Sequence, residues 1–472
     1  MVSKDLYLNG IISVISEDGT QLYTDSLEIK GRGNASWTFP KKPYRLKLKS
    51  KTNLLGLPAK EKNWTLINNY GDKTLMRNLL AFDLSKRLEM PYTPAGIPVD
   101  VFLNGEYKGT YQLCDQIEVA KNRVPVEKMD ETTSTLPDLS GGYLLEMDAY
   151  ADQEISWFKS QRNRIPVTIK YPKDDEITSV QRDYIVNYFN QMEASVFSSD
   201  YTNSTNGFRK YLDTETFLKH FLVGEISGNT DTYWSVYMYK FKNSTDDPAK
   251  DKFYFGPVWD FDIAYENDNR TFPINSLSDW VYNTKGSSAT GVKSWVNRIF
   301  SDPSIQDDLK RIYKEHRDNG TISETTLLSV VDFYADEMDQ SQRLNFIRWP
   351  ILDKIVHQNF RALGSYQAEV DSMKTFIKNR IKWIDNKLEY SHLPSTVKGT
   401  ISPNIKYWSE SGVLFIQGVE SNSLILIYDI YGRNLANKRT DKDFEIQLDK
   451  GIYLIRILEN SNSQSTIKCI IP

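Results

Sequence analysis

Residues 221–268 read FLVGEISGNTDTYWSVYMYKFKNSTDDPAKDKFYFGPVWDFDIAYEND, a stretch with carboxylates at both ends of one local unit. Residues 233–241 have strand composition, 242–252 form a polar loop and 253–258 are a second apolar run, which together predict a hairpin-like pair of strands. Asp231 follows Gly228 and Asn229, where an amphipathic helix should stop, and Asp260 and Asp262 follow a strand ending in Gly256-Pro257-Val258-Trp259. Side chains at element ends can converge on a ligand. One carboxylate that orients a hydroxyl and another that holds a phosphate-bound metal are the minimum of a phosphoryl-transfer site. The same residue types also cap turns or bind a structural Ca²⁺ through oxygen, and composition alone leaves both readings open.

The flanking sequence predicts what supports this unit. From residue 6 to 48, IISVIS, QLYTDSLEIK and PYRLKLK alternate apolar and polar positions, with a turn at Asp18-Gly19, so the chain opens as β structure. Gly31-Arg32-Gly33-Asn34-Ala35-Ser36 lies between two strands. It either aims backbone N–H groups and the Arg32 guanidinium at phosphate or is a plain β-turn. Lys41, Lys42, Arg45 and Lys47 follow, with Arg45 and Lys47 on one strand face, as phosphate-side cations or as the charges of an edge strand.

Residues 74–90 carry apolar side chains at helical spacing and predict an amphipathic helix. Asn104-Gly105 predicts a hairpin whose second strand runs into Cys114, Asp115 and Gln116. Residues 121–142 read as a loop or lid, and 141–148 as a strand with Glu146 and Asp148 on one face. Helices are expected at 178–197, at 208–227 with Asp213 as N-cap, and through 305–388 with breaks near Gly320, Pro350 and Gly364. Composition changes near His392-Leu393-Pro394, and 396–472 is all short strands, a small β-sandwich.

A chain of 472 residues is too long for one ordinary domain. Its net charge of −4 supplies no general attraction to nucleic acid or anionic membrane. Cys114 and Cys469 are far apart, and His220, His316, His357 and His392 form no HExxH or Cys/His cluster, so neither a disulfide framework nor a zinc site is expected. No apolar window is long enough for a membrane span. The opening MVSKDLYLNG has no apolar signal core, and a secreted form is expected to have lost its signal segment.

GNTDTYWSVYMYK and YFGPVWDFDIAYEND resemble the active-site half of the CotH (spore coat protein H) kinase family, which are secreted atypical protein kinases, and RGNASWTFPKKPYRLKL is similar to that family's nucleotide-binding lobe. The resemblance implies an α+β, two-lobed, protein-kinase-like domain. Its β-rich N-lobe would be 1–118 and its mainly helical C-lobe 119–392, ahead of the 396–472 sandwich. It implies ATP with Mg²⁺ or Mn²⁺. Asp231 would orient the acceptor hydroxyl, and Asp260 would hold the metal at the head of the Asp260-Phe261-Asp262 triplet, with Asp262 on a second ion. Arg32, Lys42 and Arg45 would be the phosphate-side cations. Asp115 and Gln116 would lie in the linker beside the adenine, where the family usually has Glu in place of Asp115.

IYDIYGRNLANK, LDKGIYLIRI and the terminal Lys468-Cys469-Ile470-Ile471-Pro472 resemble the C-terminal sorting domain of type IX secretion. That implies engagement of the secretion machinery and a secreted or cell-surface location. The expected activity is transfer of the ATP γ-phosphoryl group to Ser or Thr of an exported or surface protein, with no nucleic-acid partner. A second reading keeps the same fold without the chemistry, as a silent surface scaffold or adhesin that binds protein or glycan.

Overall fold

The alternating first third of the chain becomes a six-stranded antiparallel sheet in the computed structural model, which describes residues 3–243, 250–270, 278–284, 290–391, 405–429, 434–441, 443–459 and 464–471. Strands β1 (Leu8–Ile15), β2 (Gln21–Gly31), β3 (Tyr44–Thr52), β4 (Glu61–Ile67), β5 (Gly96–Leu103) and β6 (Glu106–Asp115) stand in the order β1-β2-β3-β4-β6-β5. Side chains alternate between the two faces of a strand. Tyr44, Leu46 and Leu48 of β3 therefore enter a core with Leu27, Trp64, Leu66 and Leu113, each worth about 1.5–3 kcal/mol when fully buried. Arg45 and Lys47 take the other face. The β5–β6 hairpin turns at Asn104 and Gly105 with φ of 52° and 78°, the left-handed pair that a two-residue turn of this kind demands.

Helix α1 (Arg77–Arg87) is shorter than the 74–90 expected and is not amphipathic, since Arg77, Asn78 and Ser85 are buried along with its leucines. Its start is set by Asp72, which accepts hydrogen bonds from the N–H groups of Thr74 (2.9 Å) and Arg77 (2.8 Å) and pairs with the Arg77 guanidinium.

The half of the chain expected to be mainly helical also carries a five-stranded antiparallel sheet. Its strands β7 (Tyr143–Met147), β8 (Trp157–Lys159), β9 (Pro166–Tyr171), β10 (Val236–Lys240) and β11 (Phe253–Phe255) run in the order β11-β10-β7-β9-β8. β10 and β11 pair antiparallel from Met238↔Phe255 to Lys240↔Phe253, the hairpin-like unit expected from the sequence. Both strands are shorter than expected. Residues Thr230–Tyr233 wind into a 3-10 turn, and β11 stops before Gly256 (φ 112°) and Pro257, which has no N–H to extend a ladder. Residues 121–142 are no free lid. Tyr171 Oη accepts from Met129 N (2.8 Å), and Gln181 Nε2 donates to Asp130 O (2.6 Å).

The helices of this half are α2 (Ser179–Val196), α3 (Thr214–Ser227), α4 (Thr290–Ile299), α5 (Pro303–Asp318), α6 (Glu324–Glu337), α7 (Asp339–Arg348) and α8 (Tyr366–Lys387). The breaks at Gly320 and Gly364 occur where expected, with φ of 81° and 82°, and a further break falls at Met338. Helix α3 begins at Asp213, whose carboxylate accepts from Thr216 N (2.8 Å), and ends at Gly228 with φ 64°. It does not take in 208–213, where Phe208–Lys210 make a separate turn. Every residue from Thr216 to Ser227 is buried, so α3 is a central helix and not the amphipathic one expected.

A fully buried ion pair ties α3 to α8. Arg380 Nη2 donates to Glu225 Oε2 (2.9 Å) and its Nε to Glu225 O (2.7 Å). The Glu225 carboxylate also accepts from Tyr233 Oη (2.5 Å) and from the N–H groups of Val281 (2.7 Å) and Tyr282 (3.2 Å). Tyr233 ends the turn that holds Asp231, so this pair fixes one end of the site.

The chain divides into two compact units, Met1–Glu389 and Tyr390–Pro472. In the second, β12 (Lys406–Glu410), β13 (Val413–Gln417) and β16 (Phe444–Gln447) form one antiparallel sheet. β14 (Ser423–Asp429), β15 (Asn434–Thr440), β17 (Gly451–Leu458) and β18 (Gln464–Ile471) form another. Leu414, Ile416, Ile425, Ile427, Ile455 and Ile457 share one core, the layered β architecture expected of this segment. The change of composition at His392-Leu393-Pro394 and the start at 396 lie outside the described residues. Among the described residues no helix is long and apolar enough to cross a membrane.

Arg380→Met strands the Glu225 carboxylate in the core, and the expected cost is about 3–5 kcal/mol. Urea unfolding followed by tryptophan fluorescence checks this, with Lys374→Met, at a surface ion pair, as the near-neutral control.

Candidate functional site

Two short turns carry the carboxylates, and one buried side chain joins them. Asn229 Oδ1 accepts from Asp231 N (3.3 Å), while its Nδ2 donates to Asp260 O (3.1 Å). Asp260 has φ 68°, a left-handed conformation uncommon outside glycine. Phe261 is buried and its N–H donates to Asn78 Oδ1 of α1 (2.8 Å). Asn267 Nδ2 donates to Asp262 O (3.0 Å) and to Gly71 O (2.9 Å). The Asp260-Phe261-Asp262 triplet is therefore clamped from three elements.

Electrostatically the three carboxylates form one acidic group. Asp260 is open to solvent, and desolvation by the protein near it is the first cause holding its carboxyl well above the usual range. Asp262 and Asp231 add to the rise and Arg32 opposes it. Asp262 is raised to about 7 by burial, then by Asp72 and Asp231. Asp231 is raised by burial against the pull of Arg270, whose Nη1 and Nη2 each lie 3.0 Å from one of its carboxylate oxygens.

Among the described residues no other side chain is hydrogen-bonded to the carboxylates of Asp260 or Asp262. Unpartnered oxygens that repel one another suit a hard divalent cation, and Mg²⁺ is usually held by one or two carboxylates plus phosphate oxygens. Among the described residues there is no preformed cage of three or more acidic, His or Cys side chains, so a cation here would need oxygens from its ligand.

The expected cations divide. The Arg32 guanidinium stands 5.6 Å from the Trp259 ring centroid, and Asp260 is among its charged neighbours. Arg45 has a buried Nε with no hydrogen-bond partner and lines a cleft of ≈ 950 Å³ between the two sheets. Lys42 is engaged elsewhere, its Nζ donating to Trp37 O (2.6 Å) and lying 5.1 Å from that ring's centroid. Of the two readings of residues 31–36, an amide cradle or a plain turn, the first loses two of its donors. The N–H groups of Gly31 and Arg32 donate to Ser3 O (3.1 Å) and Pro43 O (3.3 Å), and the Trp37 ring fills the space a Gly31 Cβ would need.

Asp115 is buried and occupied, accepting from Arg123 Nε (3.1 Å), Ala95 N (2.9 Å) and Tyr92 Oη (3.3 Å). It does not line the cleft. Gln116 Oε1 accepts from Thr65 Oγ1 (3.1 Å), and Gln116 lines the cleft with Ile117, Met129, Ile169 and Lys170. That volume and its apolar strip match a small-molecule pocket.

Sequence reasoning missed four residues. Lys170 lies 3.4 Å from Glu146 Oε2, Glu146 bonds Tyr237, and Tyr237 neighbours Arg32, so charge and hydrogen bonding run from the cleft to Asp260. Asn229, Arg270 and His357, the last a titratable neighbour of Asp231 whose own proton affinity burial lowers, complete the surroundings. Only Asn229 had a signal, its adjacency to Asp231. The others arrive from distant elements.

A model of the family described as CotH kinase protein matches residues 29–384. No curated protein matches the chain. The matched region covers both carboxylate turns, Arg32, Arg45 and the cleft, and it stops short of the second unit.

Asp262 moves from its ordinary 3.8 to about 7 on folding, so its ionisation opposes folding. The penalty is absent below the ordinary value and grows as pH rises to about 7. Asp262→Asn should raise the unfolding temperature at pH 8 in EDTA and leave it unchanged near pH 3.5. Differential scanning fluorimetry at the two pH values checks the sign.

Proposed function

The chain belongs to the CotH kinase family of atypical kinases, and from that premise we propose that it uses Mg²⁺ or Mn²⁺ to transfer the γ-phosphoryl group of ATP to a Ser or Thr hydroxyl of an exported or surface protein. The observation that carries this reading is the pair Asp260 and Asp262, two open, mutually repelling carboxylates beside the Arg32 guanidinium. A scaffold gains nothing from such a pair, since it lowers stability at neutral pH. An enzyme that loads a cation with its nucleotide needs it.

In this reading Asp260 and Asp262 hold the cation, which when bound neutralises the triphosphate. Arg32 and Arg45 take phosphate oxygens from the N-lobe side, and the apolar strip of Ile117, Met129 and Ile169 receives the base. Asp231 accepts a hydrogen bond from the acceptor hydroxyl and aims its oxygen at the γ-phosphorus. As the new O–P bond forms, the bond from the γ-phosphorus to the β–γ bridging oxygen breaks. ADP leaves, and the hydroxyl proton passes to solvent by way of the Asp231 carboxylate. Phosphoryl transfer asks little covalent chemistry of the protein, so fixed positions and charges carry the rate.

The second unit lies beyond the family match and contributes no residue to this scheme. We assign it the sorting role its sequence resembles, which gives the protein a secreted or cell-surface location.

Asp260→Asn should abolish metal-dependent ATP binding by calorimetry, because the cation loses its principal ligand. Asp231→Asn should bind ATP with wild-type affinity and lose transfer by about 10²–10⁴. Wild-type binding and transfer in both variants at equal folded fraction would sink the assignment in favour of the scaffold. A chain ending at Glu389 should keep ATP binding and lose export; loss of binding in soluble, folded material would refute the separation of roles.

A further inference from the structure

We infer that Arg270 is the positioning residue of Asp231 and that Asp268 positions Arg270 in turn, an assignment that rests on the reading of Asp231 as the group that orients the acceptor hydroxyl. The backbone of Asp231 is already fixed by Asn229 and by the Tyr233–Glu225 hydrogen bond. Its side chain still needs its plane set, because a carboxylate that aims a hydroxyl must present one oxygen in one direction. Arg270 does this as a fork, with Nη1 3.0 Å from Oδ1 and Nη2 3.0 Å from Oδ2. The Nη2–Oδ2 hydrogen bond together with the Nη1–Oδ1 ion contact constrains the plane of the carboxylate, where a single contact fixes only a point.

The adjacent edge of the guanidinium, which shares Nη2, is held as firmly. Arg270 Nε lies 3.0 Å from both carboxylate oxygens of Asp268, Nη2 lies 2.8 Å from Asp268 Oδ2, and the Arg270 N–H donates to Asp268 Oδ1 (2.9 Å). Asp268 is 1% exposed and Arg270 about a third exposed at 32%. The guanidinium is thus a bridge from a buried anchor to a half-buried carboxylate at the edge of the acidic group.

Other arginines in this unit are spent differently. Arg77 with Asp72 and Arg123 with Asp115 form pairs in which both partners are buried. Asp231 keeps one side toward Asp260 and Asp262, and each carboxylate oxygen retains a lone pair beyond the one Arg270 uses. That leaves room for the acceptor hydroxyl on a carboxylate that cannot turn away.

The test uses the full chain, Mg²⁺ and γ-labelled ATP. The wild type is first read on a Ser/Thr peptide array, and the best peptide is then used for kcat and KM. Arg270→Met should lower kcat by about 10²-fold, the scale of a misplaced reacting group, with KM for ATP unchanged. Guanidinium ion below denaturing concentration should restore part of the lost kcat in Arg270→Met and none in Asp231→Asn. Arg270→Lys should recover less, since an ammonium cannot span both oxygens. Asp268→Asn should fall in the same direction by a smaller factor. Wild-type kcat in Arg270→Met overturns the inference, and so does a loss that guanidinium leaves untouched while ATP affinity falls in parallel, the mark of a structural role. A wild type that phosphorylates neither peptide nor itself removes the role of Asp231 and this inference with it, a failure recognised before any substitution is made.

Discussion

The site depends first on the buried pair of Glu225 and Arg380. Removing two charges from water costs several kcal/mol for each, and only full hydrogen bonding offsets it. Here the carboxylate receives Arg380, Tyr233 and two backbone N–H groups, and the guanidinium also reaches the Asp279 carbonyl. The result is a fixed point shared by α3, α8 and residues 278–284. The turn with Asp231 starts one step from that point, at the end of a helix that cannot rotate because it is buried on all sides. Its lateral position relative to Asp260 is then set by the two bonds of Asn229.

What the sequence revealed and what it hid follow one physical line. Features specified by neighbouring residues were legible: the Asn104-Gly105 hairpin, the cap at Asp213, the breaks at Gly320 and Gly364, and the paired strands β10 and β11. Features that depend on what packs against an element were not. Residues 74–90 and 213–227 have helical spacing, yet both helices are enclosed, because a second sheet and later helices supply apolar neighbours on the faces expected to meet water. The sheet itself was under-read because β8 is three residues long and β9 is bounded by prolines. β8 offers no alternation, and the alternation of β9 covers only Val167–Tyr171.

The same division applies to the site. Asp231, Asp260 and Asp262 announce themselves by clustering beside strand ends. Of the residues that govern them Asn229 is a sequence neighbour, whereas Asn78, Arg270 and His357 come from elsewhere in the chain, and a cation on a β-strand looks alike whether it faces a ligand or a tryptophan. Lys42 and Arg45 show this, being three residues apart on the same approach to β3. One is held by Trp37, and the other opens on the cleft with an unpartnered Nε. Asp115 was expected beside the nucleotide, and its commitment to Arg123, Tyr92 and the Ala95 N–H required the fold.

Helix α3 has one more consequence, which comes from its direction. Its peptide dipoles sum to a negative end of about half an elementary charge at the C-terminus, and that end delivers Asp231 to the acidic group. The helix therefore deepens the negative potential that the carboxylates create. A kinase that greets a polyanionic nucleotide with its helix pointing the unfavourable way is selective by default. On the proposed use of a cation, free nucleotide would be repelled and a nucleotide already wrapped round a divalent cation drawn in, so that the complex would be recognised as one ligand before any side chain touches the base.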